Sequence, residues 1–169
     1  SLLSKNLSET EVSIAIFENK VSYSFKGRLY DLGLGYSKKH NFLGKVIKFV
    51  TGLKRIRQLK NKENFDVSIS FIPVCNILNI FSRKSEKVFL TVHVNEHMDQ
   101  PKNFYGWLYI VFMKYCYKQA DLIIAVSRSL QAQTMSMIGL DQKRTSVIYD
   151  PLDMNEIDFL SRQPIIPGL

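Results

Sequence analysis

Residues 120–126, ADLIIAV, constrain what this chain can fold into more than any other stretch. Apart from Asp121 the run is apolar, and it is short and rich in branched residues, as a strand is. A strand that does not alternate apolar with polar has both faces covered. That is the pattern of a parallel sheet with helices on either side. The rest of the chain agrees. Residues 11–17 (EVSIAIF), 65–71 (FDVSISF), 87–93 (KVFLTVH) and 145–149 (TSVIY) also read as strands, and residues 21–25 read as a short edge strand.

Helix-like segments separate them. Residues 41–61 place apolar side chains at 43, 46, 47, 50, 53, 56 and 59, the spacing of a helix weakened by Gly44 and Gly52. Residues 74–81 form a short helix after Pro73. Residues 101–119 form another, with Asp99 as its cap and Pro101 in its first turn. Its aromatic run, FYGWLYIVFMKYCY, is apolar nearly all round and is expected in the core, exposure at an interface being the alternative. Ser127 caps a helix through Ile138, and Gly139 ends it in the left-handed conformation. Strand and helix in alternation predict a three-layer, Rossmann-like α/β domain with a mainly parallel sheet and right-handed crossovers. Residues 1–9 look like the second half of a helix, so a first strand and its turn are expected upstream.

Composition narrows the function classes. With 46% apolar and 22% charged residues in 169, the chain is a folded domain of ordinary size. Its longest apolar run, residues 107–113, is far short of the roughly 20 residues a membrane-spanning helix needs. No secretory leader is visible. Cys75 and Cys116 are expected free, buried and reduced, which fits the cytoplasm. The net charge is +8, but residues 32–62 alone hold nine Lys or Arg and no Asp or Glu, so the remainder is nearly neutral. One basic segment, rather than a basic protein, needs explaining.

Residues 117–153, YKQADLIIAVSRSLQAQTMSMIGLDQKRTSVIYDPLD, resemble the end of the N-terminal domain of GT-B glycosyltransferases, specifically the retaining enzymes of family four. There an "ADxIIAVS" strand and cap precede a helix, a Gly, a basic residue and a "VIYNPID"-like strand. FDVSISFIPVCNILNIF and KVFLTVH resemble that domain's middle strands, and SLLSKNLSE the helix after its Gly-rich turn. Asp150 stands where the family often has Asn. The resemblance implies a transferase that moves a sugar from a nucleotide-sugar donor to a glycan or lipid-linked acceptor. It implies no bound metal and no further cofactor, and a second α/β domain that holds most donor contacts. Residues 1–153 would be the acceptor-side domain and residues 154–169 the start of the linker, the sharp turn at Asp150-Pro151 being the exit. A fragment without the second domain is expected to be inactive.

Several residues are candidates for the site. His93 ends a strand at the edge where open α/β sheets bind ligands, and in the family a residue at this place lies near the transferred sugar. An imidazole there can orient hydroxyls or stabilise charge. The alternative is a loop histidine with a local hydrogen bond. Asn95, Glu96 and His97 follow in a polar loop at the cleft rim, and Ser127 can help bind an anion at a helix N-terminus. His93, Glu96 and His97 formally match H-x-x-E-H, but that zinc motif needs a helix, and strand pattern with Pro101 close by argues against it. Gly33 and Gly35 are too short a Gly pattern for a phosphate loop. No Asp-x-Asp occurs, so the metal-dependent GT-A class lacks support.

The basic segment supports a second reading. Lys38, Lys39, Lys45, Lys48, Lys54 and Arg55 are membrane-contact candidates, since a basic amphipathic helix lies well on anionic lipid, at about 1 kcal/mol per cation. The bland alternative is a helix whose apolar stripe covers the sheet. The family's acceptors suit a peripheral position on the inner face of the membrane. A non-catalytic binding module that docks on membrane or a partner through residues 38–62 is the competing function, and a nucleotide-binding protein of another kind is a third. Nucleic acid is not expected, because no aromatic platform accompanies the charges.

Overall fold

The computed structural model of the protein describes residues 9–18, 25–35, 42–93, 104–151 and 154–162. In chain order its elements are β1 (Ser13–Ile16), β2 (Arg28–Asp31), α1 (Phe42–Glu63), β3 (Val67–Ser70), α2 (Pro73–Phe81) and β4 (Lys87–Val92). They continue with α3 (Phe104–Lys118), β5 (Leu122–Ala125), α4 (Arg128–Ile138), a 3-10 turn (Gln142–Arg144), β6 (Thr145–Val147) and α5 (Met154–Ser161). Every strand pairing among the described residues is parallel. β1 and β2 form one sheet, and β3-β4-β5-β6 form another in that order. The α/β architecture expected from the alternation is therefore present.

The core sits on β4 and β5. Val88, Leu90 and Ile123 are at most 1% exposed. Against them pack Ile77 and Ile80 of α2, Met113, Cys116 and Tyr117 of α3, and Ile138 of α4. β5 is buried from Ile123 through Ala125, as its unbroken apolar pattern requires. Fully burying a side chain such as Leu90 contributes roughly 1.5–3 kcal/mol. α4 starts and stops where the chain signals it. The Ser127 Oγ accepts the Leu130 N–H at 3.2 Å. Gly139 has φ 70° and ψ 51°, and its N–H donates to Met135 O at 2.8 Å.

Four expectations change. The second strand is Arg28–Asp31; residues 21–24 of the expected edge strand lie outside the described residues. Only Leu29 and Tyr30 are apolar there, too little pattern to read, and pairing with β1 makes the strand. The periodic stripe of α1 divides in two. Ile56 and Leu59 turn inward, whereas Leu43, Val46, Ile47 and Val50 are 43–68% exposed. Gly52 does more than weaken that helix: a Cβ there would lie 2.9 Å from Leu34 Cδ1, so its bareness lets α1 approach its neighbours. Lastly, α3 is not core all round. Met113, Cys116 and Tyr117 are buried, but Phe104, Trp107 and Tyr115 are more than half exposed. After β6 comes the helix α5, Met154–Ser161. No helix among the described residues is long and apolar enough to cross a membrane.

Candidate functional site

Because all strands run parallel, their carboxyl ends gather on one rim. Four segments arrive there: Phe71 and Ile72 after β3, His93 after β4, Val126 and Ser127 after β5, and Ile148 to Asp150 after β6. Two backbone bonds hold them side by side, Val126 N–H to Val92 O at 3.2 Å and Ile148 N–H to Ala125 O at 3.0 Å. His93 and Ser127 thus share the rim.

His93 is fixed on three sides. Its Nε2 lies 3.1 Å from Thr91 Oγ1. The Thr91 hydroxyl donates its own hydrogen to Ser70 O at 2.9 Å, so its oxygen accepts from the ring, which puts a proton on Nε2. The other nitrogen, Nδ1, faces the Asp150 carboxylate at 3.5 Å. Phe71 packs against the ring with centroids 5.6 Å apart. A local hydrogen bond does exist, as the bland reading of a loop histidine held. The same bond aims the Nδ1 edge at an exposed carboxylate on the rim.

Beneath this histidine runs a buried polar chain. Asn76, 1% exposed, donates through Nδ2 to Thr91 O and to Tyr117 Oη, both at 3.0 Å. Its Oδ1 accepts from Ser70 Oγ at 2.8 Å, and that hydroxyl in turn accepts from Asn79 Nδ2 at 3.1 Å. β3, β4, α2 and α3 are tied together directly under His93. Among the described residues, no buried side-chain nitrogen or oxygen is left without a partner. Sequence reasoning missed this support, although two Asn three apart in the apolar helix NILN are its trace. It also passed over Asp150, whose closeness to His93 no spacing reveals.

The backbone is strained at the same rim. Ile72, the residue before α2, has φ 66° and ψ 150°. A β-branched residue rarely enters positive φ, and such outliers gather where structure serves a site. Ser127 reaches the rim, but its side chain is occupied in capping α4. Asn95, Glu96 and His97 lie outside the described residues, as do Lys38 and Lys39. At His93 the chain is leaving a strand, the geometry that argued against the zinc motif. The Gly33–Gly35 loop has spent its amides: Gly33 N–H on Asp31 Oδ1, and Leu34 and Gly35 N–H on Phe17 O.

The opposite rim is built for stability. Asp121, the acid of the ADLIIAV strand, accepts the Val88 N–H at 2.7 Å and pairs with Arg83 through both oxygens, at 2.9 and 2.7 Å. Desolvation, the largest single influence, pushes its carboxyl up, but the Val88 N–H and Arg83 together hold it below its ordinary value. Arg144 donates to the Lys118 and Ala120 carbonyls and so closes the end of α3. Lys60 and Glu86 form a buried pair at 2.5 Å, with Asn79 Oδ1 accepting a further Lys60 bond at 2.6 Å. Burial pulls the Lys60 ammonium below its usual value. Burial likewise raises the Cys75 thiol to about 11, which keeps it protonated at neutral pH.

Of the cations on α1, Lys48 donates to Gly35 O at 2.5 Å and Arg55 to Leu32 O, holding the loop after β2. These bonds place the amino-terminal half of α1, with its exposed apolar stripe, beside the loop at the carboxyl end of β2. Lys45 and Lys54 are exposed.

None of the curated proteins compared with the chain matches it. The model of Glycosyltransferase Family 4, however, matches residues 3–156, nearly the whole sequence. With a parallel α/β fold and a structured carboxyl rim beside that match, the chain belongs to glycosyltransferase family 4.

Proposed function

We propose that this domain forms the acceptor side of a retaining transferase that moves a sugar from a nucleotide donor to a glycan or lipid-linked acceptor. The observation that carries this reading is His93 on the carboxyl rim, its Nε2 anchored by Thr91 and its Nδ1 turned to Asp150. Breaking a glycosyl–phosphate bond leaves positive charge on the sugar and negative charge on the departing phosphate. Groups fixed in advance near such charges lower the barrier most, because they do not reorganise during the step. In this reading His93 and Asp150 receive a sugar hydroxyl between them, and the Asn76 chain keeps both elements still. A companion domain contributes most donor contacts, and no metal or further cofactor takes part. The test is sugar transfer from nucleotide-sugar donors to lipid-linked acceptors. The full reading frame is expected to form product with the anomeric configuration retained, and residues 1–169 alone to form almost none. Robust transfer by the 169-residue chain would contradict the division of labour, and an inverted product would contradict the retaining chemistry.

A second reading concerns location. Exposed Leu43, Val46, Ile47 and Val50 fall on one helical face, with basic residues around and below them. An interfacial helix has that character. Peripheral attachment to the inner membrane face would bring a lipid-linked acceptor to the domain. Flotation with phosphatidylcholine vesicles, with and without phosphatidylserine, tests this. Binding is expected only with the anionic lipid, and Lys45→Glu with Lys54→Glu is expected to abolish it. Lys48 and Arg55 suit the test less well, because they also hold the loop after β2. Flotation unaffected by these changes would remove the membrane role.

A further inference from the structure

α3 buries only one of its faces. Met113, Cys116 and Tyr117 point into the core. The opposite stripe is Phe104, Trp107, Leu108, Val111 and Tyr115, spaced at helical intervals on one face and 42–69% exposed. The stripe does not stop at the helix. Phe112 at its flank stacks on Phe81 of α2, with ring centroids 5.9 Å apart and 13° between the planes, and the two are 39% and 40% exposed. Phe104 stacks on Trp107, also at 5.9 Å. Two helices thus present one aromatic surface. An aromatic side chain has roughly 150–250 Å² to bury, so these exposures leave about 600–700 Å² of apolar side chain uncovered. The largest such patch on a monomeric protein is typically about 300–600 Å².

We infer that this surface is the contact between two copies of the chain, an isologous dimer in which α3 of each copy lies on α3 of the other. Charge selects that occupant. The chain carries a net +8, so two copies repel unless they meet where the surface is uncharged. The stripe has no charged residue, and α3 as a whole has Lys114 and Lys118 near its end and no acid. Arg83 and Lys84, which follow Phe81, are engaged by Asp121 and by Asn64 Oδ1. α1 is the reverse case. Its exposed apolar stripe stands among cations such as Lys45 and Lys54, which suit anionic lipid and resist a second copy. Area agrees with the charge. Joining two patches would bury about 1,200–1,400 Å², at the low end of the roughly 1,200–2,000 Å² of specific interfaces. The centre of the contact would be aromatic, as the energetically dominant part of an interface commonly is. The inference rests on surface chemistry and does not depend on the transferase reading.

Trp107 is the chain's only tryptophan and lies on the patch, so its emission reports the contact. Sedimentation equilibrium of the protein over a dilution series is expected to show a reversible dimer with a micromolar dissociation constant. Dilution should move the Trp107 emission to the red as water reaches the indole. Leu108→Glu with Val111→Glu is expected to raise the dissociation constant at least ~10-fold, and the single change Tyr115→Arg to raise it in the same direction. All three side chains are exposed, so far-UV circular dichroism should match wild type. Val46→Glu with Ile47→Glu on α1 should leave the dimer intact. A monomer at every concentration would overturn the inference. So would a Tyr115→Arg dimer as tight as wild type, or a dimer dissolved by the α1 pair and untouched by the α3 pair. Emission that shifts on phosphatidylcholine vesicles but not with protein concentration would give the patch to a lipid surface, and so also overturn it.

Discussion

At the scale of single residues, the buried Lys60–Glu86 pair makes the sharpest test. Removing one partner of such a pair leaves an uncompensated buried charge, so Lys60→Met should destabilise the fold by about 3–5 kcal/mol. The double change Lys60→Met with Glu86→Leu should recover most of that loss, as urea unfolding would show. If the double variant were no more stable than the single one, the pair would not be the cause. Glu86 and Asp121 both sit below their ordinary carboxyl values. For Glu86, burial pushes upward but the bonds from Lys60 and the backbone outweigh it. A depressed carboxyl contributes stability that is complete above its unfolded pKa and is lost as pH falls through the folded one. Stability should therefore be flat above about pH 5 and decline below about pH 4. Asp121→Asn should shrink that acid decline. A decline unchanged in Asp121→Asn would place the acid sensitivity elsewhere.

At the scale of elements, each boundary residue can be checked against its geometry. Ser127→Ala removes the acceptor for the Leu130 N–H and should cost about 1 kcal/mol. Gly139→Ala forces a side chain into the left-handed region and should cost about 1–2 kcal/mol. Thermal unfolding measures both, and a neutral Gly139→Ala would show that the helix end relaxes. Elements whose signal is local were legible in the sequence: the apolar strand 122–125, the caps of α4, the helix after β2. The strand Arg28–Asp31 was not, because partner and loop contacts make it, not its own four residues. The two faces of α1 were not separable either, since one periodic stripe serves the core at one end and solvent at the other. The same limit applies to the site. The place of His93 at the end of a strand was legible. Its companions Thr91, Asn76 and Asp150 were not, because each meets it only when distant segments fold together.

At the scale of the whole molecule, two rims divide the labour. The amino rim holds the ion pairs of Lys60 and Arg83 and the bonds from Arg144 to the Lys118 and Ala120 carbonyls, which lock helices to strands. The carboxyl rim holds His93, Asp150 and the strained Ile72. The measurement that tests this most directly is sugar transfer by the proposed two-domain transferase with His93→Ala. We expect kcat to fall by at least ~10²-fold with the thermal midpoint nearly unchanged, the size of effect that a positioned acid–base or charge-stabilising group supplies. Turnover within about twofold of wild type would contradict the account, because a uniform loss of that size is worth under ~0.5 kcal/mol of transition-state stabilisation.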